Sequence, residues 1–313
     1  MGFLRGGKGL FQLLKNSMYV FLGACSFGIL STVIKLGYEK GFTFQQLTLG
    51  QFGTGWILLL ILMLLFARQK VSFKQFVRLA GVGACTCLTG ITYYLSLQSI
   101  PASIAVVLLF QFTWIGVLIE AIVTRKRPSR ATMVSVILLF IGTILAGGII
   151  GVESLELNLK GALFGLAAAV MMALFVFFSG RIEVQMSPIT RSFYTSTGSL
   201  LLLLTILTPK VVLEVSFADG YWLFGLILGT FGVVLPVLLF ALGAPKISTG
   251  LATILGAGEL PVAVIASVWV LQEYVSIVQW IGIIIILFGI IYPQIFGRNQ
   301  NQNQNQKEHT AVQ

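Results

Sequence analysis

Residues 247–271 read ISTGLATILGAGELPVAVIASVWVL, a stretch long enough to cross a bilayer. A hydrocarbon core about 30 Å thick needs ~20 apolar residues at 1.5 Å each. Near the middle stands Glu259, with Gly256 and Gly258 before it and Pro261 after it. A carboxylate at that depth costs roughly 2.5–3.5 kcal/mol and normally faces protein or water. The glycines loosen the helix there, and Pro261 removes an amide donor from its ladder. Two readings of Glu259 stand side by side. It is a functional carboxyl in a broken helix whose freed backbone groups form a site, or it is a protonated structural acid hydrogen-bonded to a neighbouring helix.

The rest of the chain sets this stretch in context. Of 313 residues, 57% are hydrophobic and 10% charged, against about 25% charged in a soluble domain. Long apolar runs recur along most of the length, so the expected fold is an all-α polytopic membrane protein. A β-barrel would need ~10-residue alternating strands instead. The net charge of +10 lies in short basic clusters between apolar runs, a placement that sets topology and does not form a nucleic-acid face. Cys25, Cys85 and Cys87 all fall inside apolar runs. Cys85-x-Cys87 without a nearby His is a poor metal site, so the three read as small packing residues.

Ten spans are expected, at roughly 17–36, 44–67, 75–97, 101–123, 130–150, 159–179, 188–209, 219–242, 247–271 and 275–296. Arg5, Lys8 and Lys15 precede the first, which is long enough to be an uncleaved helix and not a signal peptide. Residues 298–313, with their NQNQNQ run, lack apolar surface and read as a disordered tail. With the N-terminus inside, 16 Lys and Arg fall on the inner side. Only Lys35, Lys40, Lys160 and Lys210 fall outside, so both termini are expected in the cytoplasm. The expected location is the cell membrane, as a multi-pass protein.

A shift of 147 residues lays spans four and five over nine and ten, pairing Ile100 with Ile247, Ala105 with Ala252, Ser129 with Ser276 and Gly142 with Gly289. A shift of 145 lays span one over six. The chain therefore divides into segment 1–16, a first five-helix repeat over 17–150, a second over 157–297, and the tail. Five spans is odd, so the second repeat must be inverted relative to the first, an arrangement that supports two pseudo-symmetric packings.

Glu259 falls opposite Phe112, one residue from Gln111, so Gln111 and Glu259 are expected to face one cavity from opposite halves. Gln51 corresponds to Ser196, within the run from Ser192 to Thr197 that also holds Tyr194. These hydroxyls either line the cavity or bond back to their own helix. Trp114 joins the candidate lining, and Gly256 and Gly258 would offer backbone carbonyls. Tyr93 and Tyr94 read as interface anchors. Gly161-x-x-x-Gly165 and Gly225-x-x-x-Gly229 mark close helix contacts, Pro236 a bend, and Glu120 an interfacial partner of Arg125 or Lys126.

Exclusions narrow the function. The only histidine is His309 and the only aspartate Asp219, and no phosphate-binding Gly-Lys-Ser/Thr loop occurs. An enzyme is not expected, nor a metal or cofactor, and two unequal halves suit a carrier better than a channel.

In its second half the chain resembles the EamA-type carriers of the drug/metabolite transporter superfamily. The residues are Lys246-Ile247-Ser248-Thr249, Glu259-Leu260-Pro261-Val262-Ala263, Leu271-Gln272-Glu273, Gly282 and Gly289. The first half departs from the pattern: Cys25-Ser26-Phe27-Gly28 replaces the usual Trp-Gly, and Gln51 an arginine. Thr124-Arg125-Lys126 stands where a glutamate is usual. The resemblance implies ten helices in two inverted repeats. It also implies a secondary carrier, an exporter or exchanger of a small metabolite such as an amino acid or amine. The expected partners are that small molecule and the lipid bilayer, without nucleic acid; a homodimer is compatible with the sequence. The alternative is a non-transporting membrane partner or receptor subunit. Because no Lys or Arg lies mid-span, Glu259 is expected to hold a proton when its site is empty and to release it to a cationic solute, which would couple transport to protons.

Overall fold

A computed structural model describes residues 2–67, 69–97, 99–100, 102–147, 158–207, 220–272 and 274–311. Helices occupy each of the apolar stretches, and no strand forms among the described residues. They are α1 (Gly2–Glu39), α2 (Phe44–Phe66), α3 (Phe73–Leu97), α4 (Ala102–Leu109), α5 (Phe112–Thr124), α6 (Arg130–Ala146) and α7 (Leu159–Ser179). The second half continues with α8 (Pro188–Ile206), α9 (Tyr221–Gly229), α10 (Leu235–Gly243), α11 (Thr249–Gly256), α12 (Glu259–Leu271) and α13 (Ile277–Ala311). Among the described residues, eight helical stretches are apolar and long enough to cross a membrane by length and composition. The apolar helix α6 is shorter, and α8 is rich in hydroxyls.

Helix starts follow local chemistry. Thr43 and Gln46 form a reciprocal capping box ahead of α2, and Asn158 and Ser248 cap α7 and α11. Ser129 caps α6 and Ser276 caps α13 through side-chain oxygens, each satisfying an amide that the first turn leaves open. Glu273 lies outside the described residues. Beyond the apolar part, α13 runs on to Ala311, where composition predicts a disordered tail. A packed span supplies the costly nucleus, and Gln and Lys propagate helix well.

The inversion is visible in the packing. Ser135 on α6 donates to the Gly289 carbonyl on α13. A Cβ on Gly142 would stand 2.9 Å from the Gly282 carbonyl oxygen. The residue order along the two helices is opposed, so they are antiparallel. Ser135 and Gly282, like Gly142 and Gly289, are 147 residues apart. The two contacts are thus one contact seen from both sides of a pseudo-twofold axis. The other helices obey the same symmetry. α3 packs on α7 and α8 of the second half, while α9 and α10 pack on α1 and α2 of the first. Glycines allow these close crossings: a Cβ on Gly83 would strike the Thr195 carbonyl, and one on Gly229 would stand 2.7 Å from the Gly55 amide nitrogen. Gly161 meets Ser99 and Ile100, and Gly165 meets Leu108. A buried cluster containing Ala24, Phe112, Phe175, Phe240, Leu255 and Ile286 ties the halves together.

Pro236 does not simply bend span eight. The five residues Thr230–Val234 just before it form a π-helical turn, with the Leu235 amide bonding back to Thr230. A proline cannot supply the amide for the usual ladder, and the widened turn takes up the mismatch.

Candidate functional site

Spans four and nine are both broken at matching places. α4 ends at Leu109 and α5 starts at Phe112, while α11 ends at Gly256 and α12 starts at Glu259. In each break the amides reach back only three residues: Gln111 to Leu108, Thr113 to Phe110, Gly258 to Leu255 and Leu260 to Ala257. The chemistry of the two breaks differs. Span nine has two glycines and Pro261. Span four has Trp114 at the position matching Pro261, and there a side chain repairs the ladder. The Gln111 amide Nε2 donates to the Val107 carbonyl at 2.7 Å, the acceptor that an unbroken helix would give the Gln111 backbone. Trp114 Nε1 then donates to Gln111 Oε1 at 2.7 Å. Both helices end on a residue in the left-handed region, Arg125 and Gln272, each with φ 54°.

Past the breaks the two spans part. Both pieces of span four pack on α7 and both pieces of span nine on α1; α5 also packs along α11, whereas α4 and α12 barely touch among the described residues. Glu259 is the first residue of α12, half-buried at the fork. The α1 backbone at Gly28 approaches its carbonyl closely enough that a Cβ there would clash. Cys25 Sγ donates to the Gly258 carbonyl at 3.7 Å. The Glu259 carboxyl lies within electrostatic reach of Cys25, Tyr93 and Tyr94. Among the described residues no Lys or Arg pairs with it and no hydrogen bond satisfies it.

An inverted pair of repeats with broken spans at matching places is a specific architecture, and comparison with known proteins agrees. The EamA-like transporter family matches the chain twice, over residues 14–148 and 159–292. The chain belongs to the EamA-like transporter family. It is a multi-pass membrane protein of the drug/metabolite transporter superfamily. A crystal structure of another protein, 18% identical, superposes with a TM-score of 0.74 over 91% of this chain and 98% of that one, and shows the same fold. No curated protein matches the chain.

In this family member the other predicted site residues are dispersed. Gln51 is buried against the π-helical turn, its Nε2 being 2.5 Å from where a Cβ on Gly232 would sit. Tyr194 packs edge-to-face with Phe193 and Phe76, ring centroids 5.1 and 6.0 Å away. Ser196 is buried with its hydroxyl unpartnered. Gly256 and Gly258 are covered by the rings of Phe112 and Phe21 at 2.9 and 2.5 Å from their would-be Cβ atoms, so here they serve close packing. No hydrogen bond joins Gln111 to Glu259; the Gln111 amide is engaged within its own span. Trp114 is 40% exposed.

Two groups play parts the sequence reading did not assign. Glu120 does not pair with Arg125 or Lys126 but accepts from the first amides of α11. Arg191, one of the basic residues counted on the inner side, is only 4% exposed. Its guanidinium donates to the Ala241 carbonyl at 3.0 Å and to the Ser179 carbonyl, holding the ends of α10 and α7 where their last carbonyls lack partners. Beside it a cavity of about 10 Å³, lined by Leu79, Val82, Ser192 and Val237, has room for about one water. Arg191 Nε and Ser192 Oγ have no protein partner there. A lone arginine in the first turn of a helix that starts with Pro188 reads as surface; only its place between three helix ends shows otherwise.

Proposed function

We propose that this protein is a secondary carrier that exchanges a small metabolite, of the amino-acid or amine class, for protons across the cell membrane. Ten spans with both termini in the cytoplasm form the frame of this reading. The observation that carries it is the fork: two pseudo-symmetric broken spans diverge at Glu259, a carboxyl with no cation paired to it among the described residues. A charged carboxylate at that depth is poorly solvated, so it either holds a proton or faces a cationic group. Tyr93 and Tyr94 add aromatic surface suited to an organic cation. Gln51, Gln111, Trp114, Tyr194, Ser196, Gly256 and Gly258 act in this reading through the framework: they set the breaks and the helix crossings around the fork.

Counterflow in proteoliposomes tests it. Vesicles loaded with an unlabelled amino acid or amine are expected to accumulate the same labelled compound transiently for at least one member of a broad panel. No accumulation by monodisperse, folded protein would favour a non-transporting membrane partner.

A further inference from the structure

The two ends of the fork are built differently. At the basic end, where α5 leads to Arg125, Lys126 and Arg127, Glu120 reaches across the pseudo-twofold axis to the start of α11. Its Oε1 accepts from the Thr249 amide at 3.1 Å and its Oε2 from the Gly250 amide at 2.6 Å. Both amides belong to the first turn, which has no intrahelical acceptors and carries the positive end of the helix dipole. Gly250 leaves room for this approach: a Cβ there would stand 2.8 Å from Glu120 Oε2 and push the carboxylate aside. The turn after α7 joins the same point: Arg181, lying over the Phe177 ring at 4.0 Å, donates to Thr249 Oγ1 at 2.8 Å. The position matching Glu120 in the other repeat is Ser267, whose hydroxyl donates to Val264 in its own helix at 3.0 Å. Among the described residues the repeats are thus clasped by a carboxylate at one end, while at the pseudo-symmetric position Ser267 stays within its own helix.

We propose that Glu120 is a positioning residue that clasps spans four and nine shut at the basic end by holding the first two amides of α11, and that solute passes this end only when the clasp lets go. The inference rests on the carrier reading. It adds that one side chain, remote from Glu259 in sequence, sets which end of the fork stands open. Two charge-assisted bonds to backbone amides are strong enough to bias such a two-state equilibrium by tenfold or more.

Cysteine modification tests it. Val117 packs beside Gly250, 3.3 Å from where its Cβ would be, and is 6% exposed. In Val117→Cys protein, the rate of N-ethylmaleimide attachment at position 117 is read by peptide mass. The fully buried native Cys87, 0% exposed, serves as the internal reference. Adding Glu120→Gln is expected to raise the rate at 117 by about tenfold or more while Cys87 is unchanged. Gly250→Ala is expected to do the same by displacing the carboxylate. The two together are expected to do no more than either alone, because both remove one interaction. An unchanged rate at 117, equal increases at 117 and Cys87, or multiplying effects of the two substitutions would each overturn the clasp. Because no solute is present, a failed clasp and a failed carrier reading give separate results.

Discussion

Glu259→Gln protein is expected to lose pH-dependent counterflow while keeping its fold. Gln reproduces the size and hydrogen bonding of the neutral acid but cannot carry charge. If a proton and a cationic solute compete for the carboxyl, the wild-type affinity for that solute rises with pH as the proton leaves and falls as pH drops. In the Gln variant the competition disappears and the pH profile becomes flat. An ion-paired contact is worth roughly 1.5–3 kcal/mol, so solute affinity should fall about 10- to 100-fold. A purely structural Glu259 makes the opposite forecast, with flux and pH profile both retained. Counterflow measured across a pH series on the two purified proteins separates them.

Arg191→Met should produce the largest loss of stability among the polar residues discussed here. The guanidinium is buried, and it bonds the terminal carbonyls of α7 and α10 at once. Removing it leaves those carbonyls facing the apolar side chains of Leu79, Val82 and Val237. Two charge-assisted bonds, offset by the relief of a desolvated cation, give a net cost of about 3 kcal/mol. Arg191→Lys should fall between, because an ammonium lacks the planar fork that reaches both carbonyls. The check is the rate of thermal inactivation in detergent, the appropriate quantity where unfolding is irreversible. A Met variant as durable as the parent would show that the arginine is dispensable.

What the sequence reveals and conceals has physical causes. The break in span nine is legible because Gly256, Gly258 and Pro261 each weaken a helix by a local mechanism. The break in span four is not, since neither glycine nor proline marks it. It depends on Gln111 and Trp114 completing the ladder with side chains, which only three-dimensional geometry shows. The inverted repeat is legible in residue pairs such as Gly142 and Gly289 because close helix crossings admit little else there. The partners of the Gly-x-x-x-Gly motifs are not, as the motif states that a contact exists without naming the other helix. Glu120 and Arg191 are misread for one shared reason. Charges near the ends of apolar runs normally reach water, and their capture by helix termini from distant parts of the chain leaves no local trace. Cys25 on α1 meets the Gly258 carbonyl beside Glu259, a contact to which their spacing along the chain gives no clue.

The most direct test of the fork as a solute site is carbodiimide modification of Glu259, read by mass on the peptide containing residues 247–271. A carbodiimide reacts with a protonated carboxyl in apolar surroundings, the state expected of the empty site. The account predicts an adduct at Glu259 that the solute identified by counterflow suppresses in proportion to its occupancy, and that blocks counterflow once formed. An adduct indifferent to saturating solute, or one that leaves counterflow intact, would contradict it.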